Sequence, residues 1–143
     1  MFQTKIVAGT SKPDLYRELA RELQGLMAGE RDPIANAANL SALLYTSMPD
    51  LNWACIRIPV GKGVCGTTVA RRHSILVEDV HAFPGHIACD AASRSELVVP
   101  LMREAEVIGV LDLDAPIPSR FDAEDQAGIE AIAAIYVAGS DPL

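Results

Sequence analysis

The sequence predicts an α+β fold: a single domain whose mainly antiparallel central sheet is flanked by N- and C-terminal helices. Three observations carry that prediction. At 143 residues, 50% hydrophobic and 22% charged, the chain has room for one core and not for two. Helical spacing occupies its two ends, whereas the runs between them read as strands with a short helix among them. Two of those runs, Glu96 to Met102 and Val107 to Asp114, are joined by a short polar turn, Arg103-Glu104-Ala105-Glu106. That is an antiparallel hairpin, and helices gathered at the ends of the strand sequence favour α+β over a doubly wound sheet.

Residues 1–10 carry no pattern and read as a flexible N-terminal arm ahead of a domain spanning 11–143. Ser11 then caps a helix with Pro13 in its first turn and Asp14 at the positive dipole end. Leu15, Leu19, Leu23, Leu26 and Met27 follow at helical spacing, and Gly29 ends it. Asp32-Pro33 starts a second helix, with Ile34, Ala37, Ala38, Ser41, Leu44 and Tyr45 as its apolar stripe and Pro49 beyond it. Trp53-Ala54-Cys55-Ile56-Arg57-Ile58 alternates as a strand does, placing Trp53, Cys55 and Arg57 on one face, and Pro59 closes it. A short helix over Thr67 to Arg72 and a strand over Ile75 to Val77 come next. After the hairpin, Pro116, Pro118 and Ser119 break the pattern. Asp122 then caps a last helix with Ile129, Ile132, Ala133 and Tyr136 inward.

The net charge of −7 opposes binding to nucleic acid or to an anionic membrane surface. No apolar run approaches the roughly 20 residues of a bilayer span, and the N-terminus lacks a signal-peptide core, so the expectation is a soluble cytoplasmic protein. Three cysteines are too few, and odd in number, for a disulfide scaffold; they are expected to start as thiols.

The chemistry concentrates between two strands, in Glu78-Asp79-Val80-His81 and Gly85-His86-Ile87-Ala88-Cys89-Asp90-Ala91-Ala92-Ser93. Such aperiodic segments carry function more often than strands do. A thiol reacts as its thiolate, and His86, Ser93 and backbone amides are candidate donors to Cys89. Oxidation of Cys89 by a substrate gives a sulfenic acid that Cys55 or Cys65 can condense to a disulfide. Asp112 and Asp114 alternate with Leu111 and Leu113, so both carboxylates leave one strand face. They are either the solvated end of a strand or, with Glu96 across the hairpin, a cluster suited to an ammonium-bearing ligand and to general-acid work. Gly61, Gly63 and Gly66 fit the dinucleotide-binding expression, but the flanks make no βαβ unit, and the reading is a tight turn. His81, His86 and Cys89 match no tetrahedral zinc spacing, so no metal is expected.

Gly61-Lys62-Gly63-Val64-Cys65-Gly66-Thr67, the histidine–cysteine segment, Glu96 and Gly109-Val110-Leu111-Asp112-Leu113-Asp114 together resemble the free methionine-(R)-sulfoxide reductases, which are single GAF-type domains. The resemblance runs from the first helix to the last. It implies reduction of free methionine-(R)-sulfoxide to methionine through a sulfenic acid and an intramolecular disulfide, recycled by thioredoxin with no bound cofactor. It implies Cys89 as nucleophile, Cys55 as the resolving thiol and Cys65 as an auxiliary one. Glu96, Asp112 and Asp114 would hold the substrate and protonate its oxygen, and Trp53 would wall its methyl group. It further implies a homodimer paired through terminal helices. The family also carries a hairpin between the positions of Trp53 and Cys55, where this sequence has Ala54 alone. A core strand is hard to remove without exposing apolar surface, which argues against a true deletion. Two other readings remain open: a non-catalytic GAF sensor of an amino-acid-like ligand, and a thiol-redox sensor that uses Cys89 without a carbon substrate.

Overall fold

The computed structural model describes residues 9–57, 62–87 and 89–142, so most of the N-terminal arm, together with Ile58, Pro59, Gly61 and Ala88, lies outside the described residues. The elements are α1 (Lys12–Leu26), α2 (Pro33–Ser47), β1 (Trp53–Arg57), α3 (Gly63–Arg71), β2 (Ile75–Val77), a single 3₁₀ turn (Val80–Ala82), β3 (Ser95–Arg103), β4 (Glu106–Ala115) and α4 (Ala123–Gly139). The four strands form one sheet in the order β1-β4-β3-β2, every neighbouring pair antiparallel.

The starts of α1, α2 and α4 are where the sequence puts them. Ser11, Asp32 and Asp122 each accept a backbone N–H of the first turn, and Asp125 returns the bond to Asp122 in a capping box. α3 begins at Gly63 rather than Thr67, a full turn earlier than expected. Gly63 has φ +80°, a left-handed conformation that glycine adopts without a side-chain clash.

One face of the sheet takes Leu97, Val99, Leu101, Leu111 and Leu113, all buried against Leu19 and Leu23 of α1, Leu40 and Leu44 of α2, and Ile129 and Ile132 of α4. The stripe expected on α2 holds at Leu44 and Ala37 but fails at Ile34 and Tyr45, which are exposed, and the buried face is Asn36, Leu40, Leu43, Leu44 and Ser47. Alanines at many positions of this helix left its apolar period shallow, so the sequence ranked two apolar faces nearly equally. α1 and α4 are tied through Asp125, buried on α4, which accepts from Tyr16 Oη at 2.6 Å and Lys12 Nζ at 2.6 Å. The Tyr16 ring also lies directly on α4 at Gly128, where an added Cβ would come 2.1 Å from its Cγ.

Candidate active site

Alternate residues of the same strands make the other face. The register sets Trp53 opposite Asp114, Cys55 opposite Asp112, and Glu96 opposite Asp114, and directly paired residues share a face of the sheet. Three strands therefore bring Trp53, Cys55, Asp112, Asp114 and Glu96 to one side. The floor beside them is Val64, Ile75, Val77, Val80, Val98 and Val110, packed under α3 with Cys65 and Phe83 against it.

The solvated-strand-end reading of the acids fails here. Glu96 is 5% exposed, Asp112 0% and Asp114 3%. α3 and the segment after the 3₁₀ turn lie over that face. That segment is pinned at both sides: Val80 N donates to Arg94 O at 2.9 Å, Arg94 N donates to Ala115 O at 2.8 Å, and Ser93 Oγ accepts from Asn52 Nδ2 at 3.1 Å. Within it, Ala92 N donates to Asp90 at 2.8 Å. That bond, then the Asn52 side chain, holds the Asp90 carboxyl below the usual range.

These anchors deliver Cys89. Its Sγ lies 4.0 Å from Oδ2 of Asp112, a thiol beside a fully buried carboxyl. Cys55 and Cys65 approach the same aspartate. Cys55 is its register partner on β1, and one ligand atom each of Cys65, Glu96 and Asp112 lie within 4.8 Å of one another. All three cysteines are half-buried. Trp53 Nε1 donates to Cys55 Sγ at 3.0 Å, a contact open to residues two apart on one strand face.

His86, offered by the sequence as a donor to Cys89, joins the site against Glu96. Its Nε2 lies 3.4 Å from Glu96 Oε2, with both side chains largely buried. Burial, then the charge of His81, pushes His86 below its ordinary 6.5. At neutral pH the contact is an uncharged imidazole beside a carboxyl rather than an ion pair. Asn52 was missed. It precedes the strand, and its role appears only when the fold brings it to the cysteine segment.

An antiparallel sheet with a thiol segment folded over buried acids is a GAF-type layout, and residues 12–138 match the GAF domain family model. Within that class, the Escherichia coli (strain K12) free methionine-R-sulfoxide reductase is 46% identical over 87% of each chain, and the Saccharomyces cerevisiae enzyme of the same name is 32% identical over 86% of this chain and 84% of the relative. The free methionine-R-sulfoxide reductase of Neisseria meningitidis, solved in complex with its substrate, superposes with TM-score 0.88 at 31% identity, covering 97% of this chain and 95% of that one. The chain belongs to the free methionine-R-sulfoxide reductase family.

The match to the Escherichia coli relative runs over 144 positions yet takes in 87% of this 143-residue chain, so that relative carries residues with no counterpart here. In this chain β1 passes unbroken through Ala54 and keeps five consecutive pairs with β4.

Proposed function

We propose that this protein reduces free methionine-(R)-sulfoxide to methionine, with Cys89 as the nucleophile. The observation that carries it is the 4.0 Å approach of Cys89 Sγ to the buried carboxyl of Asp112, beside Glu96 and Asp114. Cys89 sulfur attacks the sulfoxide sulfur, the sulfoxide oxygen passes to Cys89 as a sulfenic acid, and methionine leaves as the thioether. Three buried carboxyls on one sheet face cannot all stay ionised without a cation between them. The substrate ammonium supplies that cation, and a carboxyl that keeps its proton delivers it to the departing oxygen. Cys55 then attacks the Cys89 sulfenic acid, expelling water and closing a disulfide. A dithiol reductant of the thioredoxin class returns both thiols by exchange, taking up the oxidising equivalents as its own disulfide. Trp53 forms the wall against the substrate methyl.

No helix among the described residues is long and apolar enough to cross a membrane. A reducing cytoplasm suits this cycle, and pairing of two copies through terminal helices is part of the same proposal.

The test is NADPH consumption coupled through thioredoxin and its reductase, with the (R) and (S) forms of free methionine sulfoxide side by side. Turnover of the (R) form that disappears in Cys89→Ser is expected. A silent wild type that still binds methionine sulfoxide would make the chain a sensor and end the catalytic reading.

A further inference from the structure

We propose that the reduced site also binds a thiophilic divalent cation of the zinc class, through Cys65, Glu96 and Asp112. His86 and Cys89 border the set, each beside one of its carboxyls. One ligand atom from each of the first three lies within 4.8 Å of the other two. Two donors on one tetrahedral zinc sit about 3.5 Å apart, so small side-chain rotations close the set on an ion. His86 Nε2 is 3.4 Å from Glu96 Oε2, and Cys89 Sγ is 4.0 Å from Asp112 Oδ2.

Donor chemistry selects the ion. Magnesium and calcium want oxygen throughout, whereas thiols and an imidazole beside carboxyls suit zinc or its cobalt surrogate. Burial adds the driving force. Glu96 and Asp112 are 5% and 0% exposed, and a divalent ion offsets their charge where water cannot.

The donors come from α3, β3 and β4, with His86 and Cys89 from the segment between β2 and β3. Sequence spacing therefore hides the set. Binding replaces the thiol protons of Cys65 and Cys89, which pass to solvent, and no electron moves. A Cys89 disulfide would withdraw its sulfur, so the ion belongs to the reduced state. It would also lie against Asp112 and Cys89, where the sulfoxide is placed, and compete with substrate. That last consequence rests on the proposed reduction, whereas ion binding does not.

Cobalt(II) titrated into the reduced protein, followed by thiolate-to-cobalt charge-transfer absorption and then displaced with zinc, tests this. A single equivalent with a charge-transfer band is expected, weakened at least about tenfold in both Cys65→Ser and Asp112→Asn. A wild type without the band, or affinity unchanged in either folded variant, overturns the proposal. Should a variant fail to fold by circular dichroism, alkylation of wild-type Cys65 decides: zinc must slow it, and an unaffected rate overturns the assignment. Turnover of methionine sulfoxide is scored separately, so a protein that binds cobalt but does not turn over keeps this inference and loses the catalytic one.

Discussion

The two faces of this sheet are built from alternate residues of the same strands and have opposite tasks. Leu97, Val99, Leu111 and Leu113 meet three helices and are buried apolar side chains with no chemistry to perform. Glu96, Asp112 and Asp114, their immediate chain neighbours, are as deeply buried but carry ionisable groups, with thiols set among them. The first face stabilises the fold and the second draws on that stability. Crowded carboxyls are retained where they cost folding energy, and that is the signature of a functional site.

Substitutions on each face should separate the two tasks. Cys89→Ser should eliminate turnover in the coupled assay while leaving the thermal midpoint close to wild type, because a half-buried thiol contributes little packing. Leu111→Ala on the helix face should do the reverse. It should cost about 2–5 kcal/mol in urea unfolding, with the remaining folded fraction active. A fall in kcat larger than the loss of folded protein would show that the two faces are not independent.

Glu96→Gln keeps the shape and removes one charge. It should lower kcat/KM about ten- to a hundredfold, the value of a charged hydrogen bond to substrate. Unfolding free energy should hold or rise as like-charge repulsion is relieved. A destabilised variant would mean that Glu96 is a structural partner of His86 instead.

The smallest effect is one of pH. His86 is depressed in the folded state, so the unfolded chain binds its proton first, near 6.5. Its contribution is therefore complete above that value and lost as pH falls through the lowered folded one. Urea midpoints followed from about pH 8 to about pH 5 should decline less steeply in His86→Gln than in wild type. Identical slopes would remove His86 from the acid response.

The split between faces was largely visible in the sequence, since period-two alternation states which residues share a side. Leu111 and Leu113 were placed inward, and Asp112 and Asp114 together, from that period alone. Alternation does not report what covers a face, and so solvated acids stayed an open reading until α3 and the cysteine segment were seen above them. Asn52 was illegible for a related reason, and so was the partner of His86, which the sequence had offered as a donor to Cys89. Each acts through a partner, Ser93 or Glu96, that only the tertiary fold supplies. The inward face of α2 was misread because its alanines fit either side, and packing against β1 made the choice.

Tyr16 and Gly128 share one volume. The tyrosine ring occupies the space that a side chain at 128 would fill, so position 128 cannot grow while the ring is there. A larger residue at 128 therefore calls for a smaller one at 16, whereas a smaller residue at 16 alone leaves a cavity. A homologue with a bulky residue at 128 should carry a small one at 16, and it would then need another donor for the buried Asp125. The contact ties the start of the chain to its end by shape as well as by charge.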